Sequence, residues 1–170
     1  MEARFEPGAS APVPLELGAL YEAYADMIYR LALVRTRNRA DAEDVLQDVF
    51  FRCLRRQPVF RDLEHQKAWL ITAAIRSSNS LLGRADRRHG VGAEALEGLF
   101  TEDDTDATVY NAVMQLPDKY RTAVHLFYYE GYSVEEIGKM TDTKPSTVKS
   151  HLHRAREALR RALKEDEPDV

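Results

Sequence analysis

A single cysteine among 170 residues leaves no internal disulfide to hold the fold, which fits a reducing cytosol. No apolar run approaches the ~18 residues that a bilayer crossing needs, and the start of the chain has no continuous apolar segment of the secretory kind. Basic excess is missing as well: 24 Lys+Arg against 28 Asp+Glu give a net charge of −4. Zinc-type Cys/His spacing, a phosphate-cradling glycine loop and a nucleophile elbow are all lacking. The sequence therefore offers no catalytic residue, metal ligand or cofactor site, and we expect a non-enzyme. His151 and His153 stand two apart and point to different helix faces, a poor metal pair. Glycine is scarce at 8 residues, and the 7 prolines fall mostly outside the periodic segments. That scarcity excludes a turn-rich β protein and predicts an all-α chain.

What is present is helical periodicity in two blocks. From Leu17 to Arg37 the apolar residues Leu20, Tyr24, Met27, Ile28 and Leu31 share one face. A second segment starts near Asp41, with Ala42, Val45, Leu46, Val49, Phe50, Cys53 and Leu54 as its inward stripe, and Pro58 stops it. A third runs from about Glu64 to Leu82. Residues 89–105 hold three glycines and five acids with no Lys or Arg, and read as an acidic linker with a short amphipathic turn at Leu96, Leu99 and Phe100. Beyond it, Thr108 to Leu116 reads as a helix, Pro117 opens the next, and Gly131 closes that one. Ser133-Val-Glu-Glu136 is a capping box. A short helix to Met140, a turn at 141–144 and a long helix from Pro145 to about Lys164 follow. The expected organisation is an arm at 1–16, a helical domain at 17–88, the linker at 89–105, a second helical domain at 106–164 and an acidic tail at 165–170.

Three faces could carry function. The last two helices have helix-turn-helix proportions, with Val148, Leu152, Ala155 and Leu159 facing inward. Ser146, Lys149, Ser150, His153 and Arg154 lie on or near the opposite face, small hydroxyls and cations suited to a major groove. Lys144 to Lys164 holds seven Lys/Arg and one acid, a net of 7 − 1 = +6 on an acidic chain. A solvated basic helix explains the charge alone; the capped helix and turn before it favour DNA. The second helix turns Asp44, Asp48, Phe51 and Arg55 outward, with Phe51 almost opposite the apolar stripe, as either an isolated exposed ring or a protein-docking face. Trp69, with Phe60, Arg61 and Lys67, reads either as core or as an aromatic and basic platform for unstacked bases. Cys53 falls on the apolar stripe and reads as packing.

These residues resemble a known family. Asp41-Ala-Glu-Asp-Val-Leu-Gln-Asp-Val-Phe-Phe-Arg52 is similar to region 2.2 of bacterial sigma-70 family factors of the extracytoplasmic-function (ECF) group, and Lys67-Ala-Trp-Leu70 resembles the start of their promoter-melting helix. Leu116 to Arg121, Tyr129 to Ile137 and Thr147 to Arg156 resemble their region 4. The resemblance implies that Asp44, Gln47, Asp48, Phe51 and Arg55 meet core RNA polymerase. It implies that Phe60, Arg61, Lys67, Trp69, Arg76, Asn79 and Ser80 meet the −10 element. It further implies that Lys144, Ser146, Thr147, Lys149, Ser150, His153 and Arg154 meet the −35 element. An anti-sigma factor is an implied partner, through which a cytoplasmic sigma can be held at the membrane. Arg76 and Ser80 stand where the family often has Asn and Asp, and Asp142 where it usually has Gly. Two rivals follow: a stand-alone helix-turn-helix regulator, and a polymerase- or anti-sigma-binding protein without promoter recognition.

Overall fold

The computed structural model describes residues 14–85 and 104–165. The expected arm up to 13, the linker through 103 with its turn at Leu96, Leu99 and Phe100, and the tail from 166 lie outside the described residues. Among the described residues the regular elements are seven α-helices and one π-helical turn. Three make the first domain: α1 (Leu17–Thr36), α2 (Arg39–Arg56) and α3 (Leu63–Ala85). Four more and the π turn make the second: α4 (Asp104–Met114), α5 (Asp118–Val124), the π turn His125–Tyr129, α6 (Val134–Thr141) and α7 (Pro145–Glu165). Helix α4 begins at Asp104, so the end of the expected acidic linker is already helical.

Local chemistry sets the boundaries. Arg37 closes α1 in the left-handed conformation with its N–H on the Leu33 carbonyl. The Asn38 side chain then accepts from the Asp41 amide, 3.0 Å, and starts α2. At Ser133 both halves of the capping box form: the Glu136 amide donates to Ser133 Oγ (3.2 Å), and the Ser133 amide donates to Glu136 Oε2 (2.8 Å). The α6–α7 turn uses Asp142 at φ 53°, the conformation expected from a residue in a glycine's place. Gly138 permits that turn, because a Cβ there would lie 2.6 Å from the Thr143 carbonyl oxygen.

In the first domain Ile28, Leu31, Val45, Val49, Cys53, Leu70 and Ile71 are fully buried between α1, α2 and α3. Leu54, expected on that stripe, is instead 53% exposed. In the second, Leu126, Ile137, Val148, Leu152 and Ala155 close the core beneath the helix-turn-helix. The two domains are packed together into one continuous apolar core. Their joint is polar at its centre. Arg121 of α5 donates to the Val34 carbonyl and, at 3.1 Å, to that of Arg35, both at the end of α1, and also to Leu116 and Met114 at the end of α4. Arg35 donates to Thr122 Oγ1 (2.7 Å) and to Asn79 Oδ1 (2.5 Å). Helix C-termini carry partial negative charge, so a guanidinium sunk between two of them needs no carboxylate.

Candidate polymerase and nucleic-acid interfaces

The α2 face is built as the spacing predicts. Asp44, Gln47 and Arg55 are exposed, and Phe51 keeps 56% of its surface in water. Asp48 is half-buried and accepts from Arg52 Nε at 2.9 Å, an i,i+4 pair that fixes its carboxylate along the helix. The sequence did not indicate that Phe51 has aromatic and aliphatic company. Tyr21 of α1 and Leu54 are also about half exposed, and with Leu17, Leu46 and Phe50 they edge a surface groove of about 570 Å³. Tyr21 stacks aslant on Phe50, ring centroids 4.9 Å apart. Glu43 and Gln47 add polar groups to its wall, a mainly apolar lining suited in its chemistry to protein docking. Leu54, expected in the core, lines this groove beside Phe50 and Phe51 instead.

The Phe60–Ser80 set does not form one surface. Phe60 is fully buried, which corrects its expected place among the DNA contacts. Its ring meets His65 and Trp69 edge-on, at 5.7 and 5.8 Å, and props up the start of α3. Trp69 is half-buried and lines a small cleft with Arg52, Arg56, Thr72 and Arg76. That cleft puts three guanidiniums around an indole, a pairing suited to a stacked base and its phosphate. Arg61, Arg76 and Ser80 are exposed. Asn79 is exposed as well, whereas Lys67 is half-buried. Lys67 Nζ lies 3.0 Å from Glu130 Oε2 and over the Tyr132 ring, while Asn79 accepts from Arg35. In this arrangement Lys67 is engaged across the domain joint, while the Arg35–Asn79 bond ties α1 to α3 within the first domain.

The α7 face is open. Lys144, Ser146, Lys149, Ser150, His153 and Arg154 are exposed, and Thr147 is half-buried. Ser150 Oγ rests on the Ser146 carbonyl at 3.1 Å, and His153 Nε2 lies 3.6 Å from Glu157. Tyr120 and His151, which sequence reasoning left out of the −35 set, border this face. The Tyr120 hydroxyl accepts from Arg154 at 3.5 Å, and its ring lies 5.4 Å from the His151 imidazole. Burial, with Lys119 and Arg154 nearby, holds the His151 imidazole below its ordinary pKa, so near neutrality it is an uncharged donor and acceptor. Among the described residues no cluster of His, Cys, Asp and Glu could hold a metal ion, and no helix is long and apolar enough to cross a membrane.

Two faces of opposite character on a helical pair of domains define a sigma-type architecture, and the comparisons agree. Residues 20–88 match the sigma-70 region 2 family, and residues 107–159 match sigma-70 region 4. The ECF RNA polymerase sigma factor SigL of Mycobacterium tuberculosis is 32% identical over 167 residues, covering 93% of this chain and 94% of its own. The ECF RNA polymerase sigma factor SigW of Bacillus subtilis is 28% identical, covering 86% and 88%. Among solved structures, the sigma factor RpoE from Bartonella quintana, in complex with the anti-sigma factor NepR, shares the fold. Its TM-score is 0.71 and its identity 23%, covering 88% of this chain and 98% of that one. The chain belongs to the ECF group of sigma-70 family factors, and it is an ECF sigma factor.

Proposed function

We propose that this sigma factor docks on core RNA polymerase through the apolar groove and exposed acids of α2 and reads promoter DNA with α7 and α3. The observation that carries this reading is the exposed cationic face of α7, net +6 between Lys144 and Lys164 on a chain of net −4. Helix α7 enters the major groove of the −35 element, where Lys149 and Arg154 meet phosphates or guanine edges and Ser146 and Ser150 allow close approach. The Trp69 cleft takes bases of the separated −10 strand, and Arg76 supplies charge where the family often has Asn. Melting follows from binding unstacked bases in preference to paired ones, which offsets a few kcal/mol of unstacking. The chain itself makes or breaks no bond; nucleotide addition belongs to the polymerase. A cytoplasmic location and an anti-sigma partner accompany this reading. The second support for that partner is that a solved structure sharing this fold is an anti-sigma complex.

A second reading, polymerase binding without promoter recognition, is favoured by the engagement of Lys67 in the joint. Transcription in vitro with core polymerase from the same source and fragmented genomic DNA separates the two. Discrete starts sharing two upstream elements support the first, and polymerase binding without starts supports the second. Lys149→Ala with Arg154→Ala should abolish most starts and leave competition for core enzyme unchanged. Asp48→Arg or Phe51→Ala should lose that competition instead. A loss of core binding in the α7 variant, or none in the α2 variants, removes the assignment of the faces.

A further inference from the structure

One flank of α7 runs on past the base-reading residues as a row of cations. Lys149, Arg156 and Arg160 recur at i, i+7 and i+11, which sets them along one edge of the helix, and all three are exposed. Glu157, the only acid between Lys144 and Lys164, lies 3.6 Å from His153 instead. The π turn brings a phenol to this edge. From Arg121 to Leu126 every residue is buried, and past Phe127 the element reaches water with Tyr128, 56% exposed. Its ring stands edge-on to Phe127, centroids 4.9 Å apart, and its hydroxyl accepts from Arg156 Nη1 at 3.1 Å. A π turn within a helix frequently marks a functional position.

We infer that Tyr128 and Arg156 form a phosphate grip, holding one backbone phosphate of the −35 duplex beside α7. The inference rests on the assignment of α7 to the −35 major groove. An α-helix of about 10–12 Å fills a groove about 12 Å wide, so a sugar-phosphate strand has to run along each flank of α7. Arg156 lies two turns beyond Lys149 on the same flank, about 10 Å along the axis at roughly 1.5 Å per residue. The chemistry is that of an anion seat. Because the Tyr128 oxygen accepts from Arg156, the phenol keeps its own proton to donate. The guanidinium spends one N–H on that oxygen and retains the rest of its fork for charge-assisted bonds to phosphate oxygens. The same bond orders the Arg156 side chain before DNA arrives, so less side-chain freedom is lost on binding. An acidic protein segment would suit these cations too, but a flank continuous with Lys149 favours the duplex. Such a contact carries no sequence information; it fixes the grip and register of α7.

The test measures binding of the full chain to a mixed-sequence duplex of about 30 base pairs, from low salt upward, since phosphate contacts do not depend on sequence. Arg156→Gln should flatten the slope of log affinity against log salt by about 0.9, the value for one phosphate. Tyr128→Phe keeps the ring on Phe127 and every charge, so it should weaken binding roughly 3- to 10-fold with the slope unchanged. Because both groups hold one phosphate, the double variant should lose less than the product of the two single losses. An unchanged slope in Arg156→Gln overturns the grip, as does a Tyr128→Phe chain that binds like the unmutated one. Loss of competition for core polymerase in either variant also overturns it, and gives the pair to a protein partner. Lys149→Ala with Arg154→Ala, run in parallel, separates the grip from the reading it rests on. If that variant keeps its duplex affinity, α7 does not hold DNA and both fall. If it loses affinity while the Tyr128 and Arg156 variants do not, the grip alone falls.

Discussion

Cys53 shows what a buried side chain can and cannot do here. Packed among α1, α2 and α3 with no exposed surface, its thiol is pushed up to about 11 by desolvation. At pH 8 the thiolate is then rarer than in an unfolded chain by a factor of ~100 for about two pK units, before access is considered. Iodoacetamide at pH 8 should therefore alkylate the native chain at least ~100-fold more slowly than the same chain in urea. Comparable rates would mean that α2 does not pack as described. The packing role was legible from spacing alone, since Cys53 follows Val49 and Phe50 on one stripe. Phe60 and Leu54 were not legible. One is an aromatic next to Arg61 that points inward; the other is a leucine on the predicted stripe that points out. Periodicity orients a residue relative to its own helix and is silent on where the neighbouring elements end.

Helix boundaries were the most readable features, because their signals are local. Pro117, the Ser133 box, Gly131 at φ 76° and Asp142 at φ 53° each act within a turn of their own position. The π turn was invisible, since nothing in His125-Leu-Phe-Tyr-Tyr129 distinguishes it from a helix that runs on to Gly131. Gly138 was also passed over, as a glycine inside a helix with no pattern to explain it. Two glycines in helices should respond oppositely to the same change. In α3, Gly83 has open space where a Cβ would go, so Gly83→Ala should stabilise by about 0.5–1 kcal/mol. In α6, Gly138→Ala sets a methyl group against the backbone of Thr143 and should cost about 1–3 kcal/mol. Urea midpoints of the two variants check both signs, and two shifts in the same direction would contradict the turn geometry.

At the scale of the whole molecule the joint dominates, and it could not be read from sequence. Its partners lie far apart in the chain, 87 residues for Arg35 and Thr122. As residue types, Arg35, Lys67, Arg121 and Glu130 resemble ordinary surface charges. Glu130 gives the joint a pH dependence. Burial pushes its carboxyl up, but His125 and Lys67 outweigh burial and hold it below the ordinary value of 4.5. A carboxylate with a depressed folded-state pKa contributes stability that is fully present above the unfolded value. That contribution is lost as pH falls through the folded one. The stability difference between the native chain and Glu130→Gln should thus be largest near neutrality and shrink below pH 4.5. A difference that stays constant into acid would remove Glu130 as an ionised member of the joint.

Arg121 sits at the same joint on other terms. Burial, aided by nearby Arg37, lowers its guanidinium to about 10, which still leaves it charged at neutral pH. Its acceptors on α1 are the main-chain oxygens of Val34 and Arg35. Every residue type placed at 34 or 35 brings the same carbonyl. Drift in the side chains of α1 therefore cannot take those two bonds away, whereas a single codon change at 121 removes them all. For these two bonds the heritable control is accordingly one-sided, written at position 121 of the second domain, whereas Arg30, Arg35 and Lys67 write the joint's other links from the first.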